Sequence, residues 1–140
     1  INLLKNKTTG IQDWPKNVIC AGHRDFKEMP LWLASSDVLL VLGTKANEYS
    51  YKHTSPMKLF EYMASMRPIV ASRTLAIEQI VSENEVEFYE PDNAESFADT
   101  IARVLENIEE SQKKAQRAYE KVQEFSWNKR AKSVLNFMKI

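Results

Sequence analysis

Cysteine is almost missing from this chain of 140 residues. Cys20 stands alone, which excludes a disulfide framework and a thiolate metal cluster within it. An excess of charge of either sign is missing too: lysine plus arginine number 19, and so do aspartate plus glutamate. That balance gives no electrostatic case for nucleic acid or for an anionic membrane surface, both of which favour a basic face. No apolar run approaches the ~18 residues that a membrane-spanning helix needs, and the opening residues do not read as a signal peptide. Histidine, aspartate and glutamate do not cluster at ligand spacings, so neither a metal site nor a resident cofactor is expected. There is no internal repeat and no low-complexity linker. The chain opens on Ile1 rather than methionine, so it reads as a piece of something longer.

Hydrophobic residues make up 44% of the chain, enough for one domain, residues 1–140, with one core. Short apolar runs alternate with helical patterns. "NVICAG", Asn17 to Gly22, predicts a strand, with Cys20 as an inert core thiol. "EMPLWLASSD" predicts a short helix, and "DVLLVLG", Asp37 to Gly43, a strand covered on both faces. A polar loop leads to a helix from Pro56 to about Met66. "RPIVAS" predicts a strand, "LAIEQIVSE" a short helix and "EVEFYE" a less apolar strand. A helix capped by Asn93 then carries Phe97, Ile101, Val104, Leu105 and Ile108 at helical spacing. Glu109 to Ile140 reads as helical, with Ala115, Ala118, Val122 and Phe125 on one side. Ser126 starts the closing helix, residues 126–140, whose apolar stripe is Trp127, Ala131, Val134, Leu135 and Met138. Four strand–helix alternations predict an α/β fold, a Rossmann-like parallel sheet with helices on both faces.

In such a sheet, ligands bind beyond the carboxyl ends of the strands. The connection from Gly43 to Thr54 is longer than the usual 2–6 residues, which favours a functional role. Ser55 suits an N-cap and Pro56 the first helical position. The N–H groups of Met57 and Lys58 are then free to receive an anion. A lysine in the first turn opposes the helix dipole by about 0.3–1 kcal/mol, and a bound phosphate reverses that sign. Glu61 lies three residues on, near the same face, where a carboxylate accepts from vicinal hydroxyls. Phosphates at the helix start with a ribose alongside describe a nucleoside diphosphate. The competing reading is an ordinary Lys58–Glu61 surface pair worth about 0.2–0.5 kcal/mol. Tyr49, Tyr51 and Tyr62 are either stacking platforms or packing aromatics. Trp14, Trp32 and Trp127 read as core or domain-contact residues.

"SPMKLFEYMASMRPIVAS", from Ser55, resembles a segment of family 4 glycosyltransferases, which have the GT-B fold. "NVICAGHRDFKEMPLWLASSDVLLVL", "EFYEPDNAESFADTIARVL" and "FSWNKRAKSVL" resemble other segments of that family in the same order, over nearly the whole chain after Trp14. The resemblance implies the C-terminal, donor-binding half of a GT-B enzyme. That enzyme would move a sugar from a UDP- or GDP-sugar to a hydroxyl acceptor, with retention. Glu61 matches the second glutamate of the family's E-x7-E motif, which holds the ribose hydroxyls. Ser55, Pro56, Met57, Lys58 and Leu59 fall in the turn that receives the diphosphate. Gly22, His23 and Arg24 match the turn near which the base packs. His53 stands where the motif has its first glutamate, so the usual contact near the donor sugar is changed.

The family's glycine-rich opening strand, with its basic pair, has no matching segment here, nor has the N-terminal acceptor domain. The catalytic residues are therefore expected in those missing segments, and the fragment alone is expected to be inactive. The implied partners are the nucleotide-sugar donor and a glycan or lipid-linked acceptor. The implied setting is polysaccharide biosynthesis in the cytoplasm, at the inner membrane face. Two alternatives stay open: a sugar-nucleotide epimerase of the same fold, and a non-catalytic nucleotide-binding or interaction domain.

Overall fold

The computed structural model describes residues 15–138. Three strands, β1 (Leu39–Val41), β2 (Ile69–Ser72) and β3 (Glu87–Tyr89), form a parallel sheet in the order β1-β2-β3. Leu39 lies opposite Ile69, and Ala71 opposite Phe88. The helices are α1 (Met29–Ala34), α2 (Glu48–Lys52), α3 (Met57–Ala64), α4 (Leu75–Glu78), α5 (Ala94–Glu106), α6 (Ile108–Val122) and α7 (Trp127–Met138).

The pleat of β2 sorts the core. Ile69 and Ala71 face one side, packed with Val41, Leu59, Met63, Ile77, Val81, Val86, Phe88 and Ala118. Val70 faces the other, with Tyr89 and Val104 and the partly buried Phe97 and Ile101. Every residue of β2 is buried, as expected of a central strand covered on both faces. Thus α3, α4 and α6 cover one face and α5 the other. Small residues let α6 lie against α3: Ala115 and Ala118 are both buried. Leu59 and Met63, fully enclosed, each contribute about 1.5–3 kcal/mol of apolar burial. Asn93 caps α5 as its side chain predicts, accepting from the Ser96 N–H at 2.9 Å.

Several expectations are corrected. Asn17 to Gly22 forms no strand, and Val18, Ile19 and Cys20 are exposed, so Cys20 is not a core thiol. An apolar run becomes a strand only when a partner takes its backbone hydrogen bonds, and this run has none from β1. The described residues therefore hold three strands rather than four. β1 is covered on one face only: Leu39 and Val41 are buried, while Leu40 and Leu42 are exposed. The polar loop contains α2, capped by Asn47 through the Ser50 N–H.

Further on, α5 buries Val104, whereas Leu105 and Ile108 are exposed. Ser126, in an extended conformation, starts α7, and its hydroxyl accepts from the Lys129 N–H at 3.4 Å. The apolar stripe of α7 is open to solvent, with Trp127 79% exposed, and Trp32 is partly exposed as well. Neither tryptophan is a core residue. Trp14 and the last two residues of the closing helix lie outside the described residues.

Candidate functional site

The strands β1, β2 and β3 lead at their carboxyl ends into Gly43, the Arg73–Thr74 turn and the Glu90–Asn93 turn. α3 runs back antiparallel to the strands, so its N-terminus opens at this same edge. Two cross-links join the loops here. The buried Ser72 hydroxyl donates to the Gly43 carbonyl at 3.0 Å. The Lys45 N–H donates to Asp92 Oδ2 at 2.9 Å. Gly43 passes so close to the next loop that a Cβ added there would lie 3.0 Å from Thr74 Cγ2.

From Gly43 the chain turns through α2, whose Lys52 and Glu48 pair at 2.8 Å. His53 ends α2, its N–H donating to the Tyr49 carbonyl, and its ring centroid lies 6.2 Å from that of Tyr49. The start of α3 falls one residue later than its sequence suggests. Pro56, at φ −75° and ψ 94°, is the cap, and Met57 is the first helical residue. Ser55 is exposed and does not cap the helix; the Pro56 carbonyl accepts the Leu59 N–H at 2.9 Å. A proline suits either boundary position, because φ near −65° fits both; its ψ decides between them.

The shift leaves the N–H groups of Met57 and Lys58 without intrahelical partners, as expected of a first turn. Lys58 and Glu61 are both exposed. Among the described residues no ion pair links them, so the surface pair they might have formed is not made. Burial raises the Tyr62 hydroxyl above its ordinary pKa, and the neighbouring Glu61 charge adds to the shift. Leu59 turns its side chain wholly into the core, so only its backbone faces this edge.

Gly22, His23 and Arg24 stand apart from this group. Gly22 takes φ 75° in an exposed, irregular segment, and the Arg24 guanidinium lies 5.0 Å from the ring centre of Trp32 on α1. No hydrogen bond among the described residues ties the three to α3. Sequence patterns overlooked Gly43, Ser72, Thr74 and Asp92, whose contacts at this edge span long stretches of chain. The Asp92 carboxyl is held below its ordinary pKa, chiefly by a hydrogen bond from the Thr44 hydroxyl, then by the Lys45 N–H. Among the described residues, no three of His, Cys, Asp and Glu gather into a metal-binding group, and no helix is long and apolar enough to cross a membrane.

The family described as "Glycosyl transferase-like" matches residues 2–136. The protein named "Putative teichuronic acid biosynthesis glycosyltransferase TuaH", from Bacillus subtilis (strain 168), is 28% identical over 113 residues, which are 80% of this chain and 28% of that protein. The crystal structure of the C-terminal domain of a glycosyl transferase group 1 family protein, LpcC of Francisella tularensis, superposes with a TM-score of 0.59 at 23% identity, over 74% of this chain and 50% of that one. Sucrose-phosphate synthase of Thermosynechococcus elongatus superposes with a TM-score of 0.69 at 21% identity, over 84% of this chain and 28% of that one. These two structures share the fold. The chain spans little more than a quarter of the length of TuaH.

Proposed function

Because the chain belongs to the glycosyl transferase-like family, we propose that the edge at the start of α3 binds a nucleoside-diphosphate sugar for transfer to a hydroxyl acceptor. The observation that carries this reading is the pairing of two free N–H groups, at Met57 and Lys58, with an unpaired cation and an unpaired carboxylate on one exposed helical face. The diphosphate is received by the Pro56–Met57–Lys58 backbone, with the Lys58 ammonium as a charge contact and Ser55 beside it. Glu61 accepts from the ribose hydroxyls. His53, two residues before Ser55, is the side chain assigned to the donor sugar. As the glycosidic bond breaks, the bonding pair leaves with the diphosphate, and the helix end and Lys58 stabilise the charge that grows there.

Retention at the sugar carbon, a UDP- or GDP-linked donor and a glycan or lipid-linked acceptor complete the proposal. The acceptor class is supported by the name of TuaH, which places that protein in teichuronic acid biosynthesis. Gly22, His23 and Arg24 would take the base, although no hydrogen bond among the described residues joins them to α3.

The test is an NMR titration of the chain with UDP, GDP and ADP, beside a folded Glu61→Ala variant. Selective binding of one nucleotide is expected, weakened roughly tenfold or more by the substitution, the scale of a hydrogen bond to a charged group. If well-folded protein leaves all three nucleotides unbound at millimolar concentration, the chain does not hold a donor site by itself.

A further inference from the structure

The connection that delivers residues 47–56 to the start of α3 is held at three points. Gly43 is bonded by Ser72, and α2 lies against α4. Between them, the turn at Thr44, Lys45 and Ala46 is held by Asp92, which stands on the loop after β3, 47 residues further along the chain. The Asp92 carboxylate accepts from the Lys45 N–H at 2.9 Å, and the neighbouring Thr44 hydroxyl and Ala46 N–H help to hold its carboxyl below the ordinary pKa. The Ala46 N–H reaches the Thr44 hydroxyl oxygen as well, at 3.1 Å. Asp92 is exposed and has φ 61°, a left-handed conformation that glycine adopts without strain. If the turn alone mattered, glycine would serve it better. An aspartate there gives up backbone comfort and gains a hydrogen bond to a distant loop.

We propose that Asp92 is a positioning residue for the nucleotide site: its carboxylate fixes the 44–46 turn and so sets where His53, Ser55 and the first turn of α3 stand. This inference rests on the donor-site reading given above. The geometry makes the two separable, because Asp92 touches the loop and no residue assigned to the ligand.

The test compares Asp92→Gly and Asp92→Asn in the full chain. Glycine relaxes the backbone and removes the clamp, so thermal stability is expected to hold while amide exchange at Lys45 and Ala46 speeds up severalfold. Affinity for whichever of UDP, GDP or ADP the wild type binds is expected to fall about three- to tenfold, the range of one hydrogen bond's net contribution. Asparagine keeps a carbonyl acceptor and should restore most of that loss. Unchanged exchange in Asp92→Gly overturns the clamp. Faster exchange with unchanged affinity overturns the positioning role. If the wild type binds none of the three nucleotides, the chain holds no donor site by itself and the positioning role fails with it, while the exchange rates still decide whether the clamp exists.

Discussion

Gly43 illustrates how much one missing side chain can matter. A methyl group there would meet Thr74 Cγ2 at 3.0 Å and Ser72 Cβ at 3.4 Å, both on buried residues with little room to move. Gly43→Ala is therefore expected to cost about 1–3 kcal/mol of stability in urea unfolding, as overpacked sites do. Thr74→Ser deletes the offending methyl, so the same glycine substitution should cost less in that background. An equal cost in both would show that Thr74 is not the obstacle. At this scale local chemistry was legible and distant contacts were not. Asn93 was readable as a cap because its partner, Ser96, lies three residues away. Asp92, its neighbour, bonds to a turn 47 residues back, and nothing in "EPDNAE" points there.

The element that matters most is α3, whose two sides have opposite jobs. Leu59 and Met63 are fully enclosed in the core, whereas Lys58 and Glu61 are exposed. Leu59→Ala should cost about 2–5 kcal/mol in urea unfolding. Glu61→Ala, two positions on, should stay within about 0.5 kcal/mol and act on nucleotide binding alone. Comparable stability losses in the two variants would mean that Glu61 has a structural role. The helical pattern of α3, the apolar β2 and the amphipathic α5 were all legible because their periodicity is set by the face they bury. The strand expected at Asn17 to Gly22 failed for a different reason. Composition can make a segment fit for a strand, but the ladder that creates one depends on long-range pairing. α2 escaped notice although Asn47 and the Glu48–Lys52 pair mark it, because five residues give periodicity little to work on.

Across the whole molecule, ion pairs bind the loops and α6 to the sheet. Lys121 reaches Glu85 at 3.1 Å, Lys114 reaches Glu87, and Arg73 bonds Glu78 at 3.2 Å and Glu83 at 2.6 Å. Burial pushes Glu85 upward, but hydrogen bonds from Ser82 and Lys121 outweigh it, leaving its carboxyl below the ordinary 4.5. Glu83 is lowered as well, first by its hydrogen bond from Arg73. A carboxyl with a depressed pKa when folded stabilises the protein above its unfolded value and loses that contribution as pH falls through the folded one. Stability is thus expected to be full above about pH 4.5 and to decline below it. The advantage of wild type over Glu85→Gln in urea midpoint should shrink between pH 7 and pH 3. A constant difference would remove Glu85 from the acid response.

Ala118, near the end of α6, closes a core whose other walls include Val41, Leu59 and Met63. During synthesis the ribosome makes those walls first and the closing residue last. At about 5–20 residues per second, the interval between Val41 and Ala118 is on the order of ten seconds. For that time the nascent chain carries the greasy side of β1 and α3 without its cover. A late-arriving lid of this kind makes truncation before Ala118 far more damaging than the loss of a few exposed residues would be.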